Sequence, residues 1–148
     1  MPQGVVPFTA TIGTTAKTCI QLLATGGLQV EVRGFAITAA GTSPTATPLL
    51  AEILRQTTAG TGAAATPNLW DGDSTAVVAT AIDTYTVEPT AGDILFRVYG
   101  TPQGGVGWEW VNADGPRGVT NGRIAVRVTG DASTSGLTCA GFIRFNEL

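Results

Sequence analysis

The sequence predicts an all-β fold: one single-domain antiparallel β-sandwich, jelly-roll-like, with eight or nine strands. Three observations predict it. Apolar and polar residues alternate with a period of two along most runs, as in a strand with one face in a core and one in solvent. Gly, Pro or Thr interrupts nearly every window long enough for a helix, and all three lower helix propensity. Turn signals separate the runs at sandwich-like intervals: Thr25-Gly26-Gly27, Asp71-Gly72-Asp73, Gly104-Gly105, Asp114-Gly115-Pro116 and Asn121-Gly122.

Residues 5–12 and 18–23 are the first strand candidates. The clearest run follows. Leu28, Val30 and Val32 share one face; Gln29, Glu31 and Arg33 share the other. The phase slips at Gly34, after which Phe35 and Ile37 are apolar, and a glycine at a phase slip reads as a β-bulge or bend. Residues 49–56 are flanked by Pro48 and the Thr57-Thr58 pair, which favour a strand over a helix. Residues 76–82 are a weaker candidate. Ile94, Phe96 and Val98 alternate with Arg97; Val106, Trp108 and Trp110 alternate with Glu109. Ile124, Val126 and Val128 are flanked by Arg123 and Arg127, and Leu137, Cys139, Ile143 and Phe145 share the last parity. Residues 40–47 and 57–68 read as irregular and carry no charge. Eight such strands close as a jelly roll. Seven would suit an immunoglobulin-like sandwich, but Cys19 and Cys139 lie too far apart for its Cys…Trp…Cys pattern. Residues 1–148 form one domain, with residues 1–8, holding Pro2, Gly4 and Pro7, able to extend as an N-terminal arm.

Composition narrows the function. The chain has 148 residues, 13% of them charged, and no histidine; a globular domain usually has about 25% charged residues. Without histidine there is no Ser-His-Asp triad, Cys-His pair or His-ligated metal. Eight basic residues and a net charge of −3 give no electrostatic footprint for nucleic acid. Met1-Pro2-Gln3-Gly4 opens no secretory signal, and the charge-free stretch 34–51 carries Gly, Pro and Thr rather than a membrane span. Synthesis in a cytoplasm and no membrane partner are therefore expected. The low charge has two competing explanations: 24 threonines and other polar residues hydrate the surface, or copies of the chain or a partner cover part of it.

Few groups suit chemistry. Asp71 and Asp73 beside Trp70 offer a carboxylate pair, and Trp108 and Trp110 a sugar platform, in the manner of a glycosidase. Asp-Gly-Asp is more simply a turn, and alternating tryptophans on a strand are more simply core. Asp71, Asp73 and Thr75 mimic the start of a calcium loop, but Ala76 and Ile82 stand where its glycine and glutamate belong. No catalytic residue, cofactor or metal is expected, and the chain is read as a non-enzyme. Arg33, Arg55, Arg97, Arg123, Arg127 and Arg144 fall in or beside strands, against a single lysine, Lys17. They are expected to pair across strands with Glu31, Glu52 or Glu109. Cys19 and Cys139 read as small buried side chains, with a disulfide between a first and a last strand left open.

The run Glu52-Ile53-Leu54-Arg55-Gln56-Thr57-Thr58-Ala59-Gly60-Thr61 resembles a family of small virion proteins of tailed bacteriophages. So do Glu88-Pro89-Thr90-Ala91-Gly92-Asp93 and Pro102-Gln103-Gly104-Gly105. The resemblance covers residues 9–145 and carries no active site. It implies a structural protein of the virion, most simply a capsid decoration protein that binds and stabilises the outer head shell as a homotrimer. The implied partners are its own copies and the major capsid protein. A minor tail or fibre-associated protein with a carbohydrate- or receptor-binding face is the alternative. The expected contact residues are Arg55, Gln56, Thr57, Thr58, Thr61 and Asn68, because they bound the longest uncharged irregular stretch.

Overall fold

The computed structural model describes residues 2–40, 48–70, 72, 76–112 and 114–148. Eleven strands form among them: β1 (Gln3–Thr11), β2 (Lys17–Leu23), β3 (Val30–Ala39), β4 (Leu49–Gln56), β5 (Thr61–Ala65), β6 (Asn68–Leu69), β7 (Thr80–Val87), β8 (Ala91–Gly100), β9 (Val106–Glu109), β10 (Arg123–Thr129) and β11 (Thr138–Glu147). They build two antiparallel sheets, in the orders β6–β1–β11–β3–β9 and β5–β7–β2–β10–β4–β8. No helix occurs among the described residues.

The pairings are nested. β1 joins β11 and β3 joins β9 in one sheet; β2 joins β10 and β4 joins β8 in the other. A ribbon of antiparallel pairs wrapped around one core in this way is the jelly-roll arrangement. The inward faces meet in a core that includes Val6, Phe8, Ile20, Leu22, Val32, Phe35, Ile37, Ile53, Ile124, Val126, Ile143 and Phe145. The expected phase slip at Gly34 is a bulge: Arg144 pairs with Gly34 but Phe145 with Val32, so Arg33 is the extra residue.

Three expectations need correction. The strand count is eleven, not eight or nine, because the stretch 57–68 holds β5 and the start of β6. β5 reads Thr-Gly-Ala-Ala-Ala and is almost wholly exposed, so it has no alternation to betray it. It exists because β7 offers it a hydrogen-bonding edge. The strand expected at 76–82 lies at Thr80–Val87 instead; the apolar run that suggested it includes Val78, which is exposed. Residues 1–8 form no free arm from Gln3 onward. β1 is paired on both sides, with β11 and β6, and buries Val6 and Phe8.

Candidate interaction surface

A two-sheet sandwich has two open sides, and this chain closes them differently. The β4–β8 connection supplies one closure. From Gln56 the chain crosses to β5 at the far edge of the six-stranded sheet, visits β6 on the other sheet, returns through β7 and recrosses to β8. The two crossings run side by side: the Thr57 amide donates to Thr90 O at 3.0 Å, and the Thr90 amide to Thr58 Oγ1 at 2.8 Å. Gly60 makes the bend possible, with φ +65° and a hypothetical Cβ only 2.5 Å from Val87 O.

Beneath this strap lies a buried polar chain. Ala125 and Arg127 of β10 point away from the core, so their register partners Gln21 and Thr18 do too. Both are nevertheless buried. Gln21 Nε2 donates to Gln56 Oε1 at 2.6 Å and to Thr58 O at 3.0 Å, and Gln56 Nε2 donates to Thr18 Oγ1 at 2.9 Å. The Thr18 amide donates to Glu88 Oε2 at 2.9 Å. Buried amides need partners, and Gln21 and Thr18 of β2 find theirs on the strap or on β4, the strand it leaves. Tyr85 packs on the same insertion, over Gly62, and burial pushes its phenol well above the usual range, with Glu88 and Asp83 adding to the shift.

The expected contact residues divide. Thr57, Thr58, Thr61 and Asn68 are exposed. Gln56 is turned inward and spent on Gln21 and Thr18. Arg55 is half-buried, donating through Nε to Arg117 O at 3.1 Å and pairing with Asp93 at 3.4 Å. Thr61 opens β5 on one sheet and Asn68 opens β6 on the other, so these two share a margin while Arg55 lies inside the sheet.

The opposite side, between edge strands β8 and β9, is closed by aromatic rings. Phe96 stands 4.9 Å from Trp110, 5.5 Å from Trp108 and 6.4 Å from Phe35, centroid to centroid. The expectation of core tryptophans holds in part. Trp110 packs against the core, but Trp108 remains 49% exposed. Ile94, Tyr99 and Val111 are also exposed here, giving an apolar margin along two strand edges that are each unpaired on one side among the described residues. Residue alternation marked Trp108 as inward; the position at an edge, which alternation does not report, leaves half of it bare.

Most of the expected arginine pairing is present. Arg127, Glu52 and Arg97 lie opposite one another across β10, β4 and β8, and Glu52 bonds Arg97 at 2.7 Å and Arg127 at 2.8 Å. Arg144 reaches Glu109 at 3.0 Å across Gly34, whose missing side chain leaves the path open. The Arg144 guanidinium also lies 5.1 Å from the Trp70 ring centroid. Glu31, fully buried, holds Arg117 at 3.1 Å and Arg33 at 3.6 Å. These carboxylates are occupied by structural partners.

Asp71, Asp73 and Thr75, the carboxylate-pair and calcium-loop candidates, lie outside the described residues. So do residues 41–47 of the stretch expected to be irregular at 40–47. Among the described residues, no group of three or more Cys, Asp or Glu could hold a metal. Cys19 and Cys139 are both free and buried. No protein-family model and no curated protein matches the chain.

Proposed function

We propose that this chain is a non-catalytic structural protein of a phage virion, a decoration protein that sits on the outer head shell as a homotrimer and stabilises it. The observation that carries the reading is the insertion margin: exposed, uncharged Thr57, Thr58 and β5 on a strap that buried amides hold to the sheet. An uncharged surface held in fixed shape can be covered at little desolvation cost. A jelly roll is a frequent fold of viral shell proteins, which supports the reading by analogy only. The resemblance of residues 52–61 and 88–93 to small tailed-phage virion proteins adds to it.

Electron microscopy of phage particles containing the chain tests this, together with its sedimentation in solution. Symmetric density on the shell and a trimeric mass are expected. A monomer absent from particles would overturn the proposal. Removal of residues 59–65 should abolish shell binding; unchanged binding would take the contact away from this margin.

A second reading is favoured by the exposed rings of Trp108 and Trp70. A minor tail or fibre-associated protein could use such a ring as a saccharide platform. Density at the tail, with glycan binding that fails in Trp108→Ala, would favour it over the first.

A further inference from the structure

The inserted side of the sandwich is closed over only part of β1. β6 pairs with β1 at Gly4 and Val5 alone, and beyond them the outer edge of β1 has no strand beside it among the described residues. The hydrogen bonds of β1 show which of its groups face that edge. Gln3 O accepts from the Trp70 amide on the β6 side, whereas Pro2 O accepts from the Glu147 amide and the Ile12 amide donates to Leu137 O on the β11 side. Main-chain groups alternate sides along an antiparallel strand, so Val5, Pro7, Thr9 and Thr11 face the β6 side. The N–H and C=O groups of Thr9 and Thr11, and the C=O of Pro7, therefore point to an open edge, and all three residues are exposed. Two hollows follow this edge and share Thr9. One, of about 400 Å³, is lined by Phe8, Thr9 and Asp83; the other, of about 180 Å³, by Thr9, Ala10 and Lys17. Asp83 of β7 lies opposite Ile20, a core residue, so it is turned toward the five-stranded sheet. It accepts from the Thr84 hydroxyl at 3.2 Å, and no cation pairs with it among the described residues. Lys17, by contrast, is already occupied: it pairs with Glu88 at 3.5 Å and donates to Tyr85 O at 2.7 Å.

We propose that the open edge of β1 accepts an extended segment of a partner protein as an added strand, with a basic residue of that segment seated on Asp83. The added strand runs antiparallel to β1, in line with β6. Main-chain bonds to Thr9, Thr11 and Pro7 O supply the affinity, and alternate side chains supply the selectivity. Pro7, which has no N–H, bounds the accepting stretch at one end. Residues directly opposite each other share a face, so those opposite Phe8 and Ala10 point inward as these two do, and those opposite Thr9 and Thr11 point to solvent. The residue opposite Phe8 enters the larger hollow, where Asp83 offers a lysine or arginine its counter-charge. The residue opposite Ala10 enters the smaller hollow, where the paired Lys17 and Glu88 favour an uncharged side chain. From its N-terminus the segment therefore reads uncharged, any residue, basic. A second copy of β1 does not meet this requirement, because β1 carries no charged residue and brings no cation to Asp83.

The test uses the full chain and a synthetic peptide, acetylated and amidated, of sequence Ser-Thr-Val-Thr-Arg-Thr-Ser. Titration and residue-resolved amide hydrogen exchange are read together. Saturable one-to-one binding is expected, with slower exchange at the Thr9 and Thr11 amides and no change at Ala10, whose amide already faces β11. Asp83→Asn should weaken binding about tenfold at low salt. Replacing the peptide's arginine by glutamine should cost the native chain the same factor and cost Asp83→Asn nothing more. Thr9→Pro removes an N–H from the open edge alone, so the chain should melt as before and lose the peptide. Absence of saturable binding, unchanged exchange at Thr9 and Thr11, or an affinity indifferent to Asp83→Asn would overturn the proposal. So would self-association of the chain that protects the Thr9 amide without peptide, which would give the edge to a second copy.

Discussion

The two sides of this sandwich are closed by different physics. Between β8 and β9 the seal is made of side chains: Phe35, Phe96, Trp108 and Trp110 meet ring to ring. On the other side the seal is made of backbone. β5 and β7 extend one sheet, β6 extends the other, and one continuous segment joins them. Rings large enough to fill a gap also leave part of themselves outside, so the first margin shows half of Trp108. Added strands leave small residues outside, so the second margin shows threonine, glycine and alanine. The difference separates two kinds of binding surface on one molecule: sticky and aromatic, or smooth and uncharged.

The largest effect is expected at the aromatic seal. Phe96 touches three other rings, so Phe96→Ala should cost about 3 kcal/mol, read from denaturant unfolding. Hydrogen exchange should quicken in β8 and β9 and stay slow in β7. Equal loss of protection on both sides would break the contrast. Gln21→Leu should cost about 2 kcal/mol, because it leaves Gln56 Oε1 and the Thr58 carbonyl without their donor under the strap. Limited proteolysis near Ala59 should then accelerate while β8 remains protected.

Tyr85→Phe sharpens the backbone side. The Tyr85 hydroxyl is buried with no hydrogen-bond partner among the described residues. Its removal at neutral pH should leave stability unchanged or raise it by up to about 1 kcal/mol. The pH profile is more telling. The phenol is held above its unfolded value of about 10, so the neutral form belongs to the fold. Its contribution is fully present below about pH 10 and is lost as pH climbs through the higher folded value. Thermal melts across that range should show a steep alkaline decline in the native chain and a shallower one in Tyr85→Phe. The smallest effect belongs to Asp93→Ala at the seal's rim. Asp93 is largely exposed and Arg55 keeps its bond to the Arg117 carbonyl, so melting should reveal a change within about 0.5 kcal/mol.

The sequence made the aromatic side more legible than the inserted side. Alternation about Ile124, Val126 and Val128, or about Phe96 and Trp108, follows directly from one-sided burial. The ion-pair row Arg127–Glu52–Arg97 was equally readable, since outward charges on neighbouring strands meet at fixed register. β5 was not readable, because its five residues bury little and owe their conformation to a neighbour's edge. Gln21 and Gln56 are outward by register, opposite Ala125 and Arg123 of β10. What parity does not carry is a strap folded over them from a segment nearly forty residues later in the case of Gln21. Of the expected contact residues, Thr57, Thr58, Thr61 and Asn68 are exposed, while Gln56 is one of the fastenings.

The nested pairing also dictates when this protein can fold. β10 lies between β2 and β4, and β11 lies between β1 and β3, so the last two of these eleven strands to be synthesised occupy interior places in both sheets. Until they arrive, β2 and β4 have no bridge and β1 has no wide partner, and earlier segments wait with unpaired edges. Contacts of such long sequence separation make folding slow and expose the nascent chain to aggregation. Once β11 slots in, every strand of the wrapped ribbon closes together.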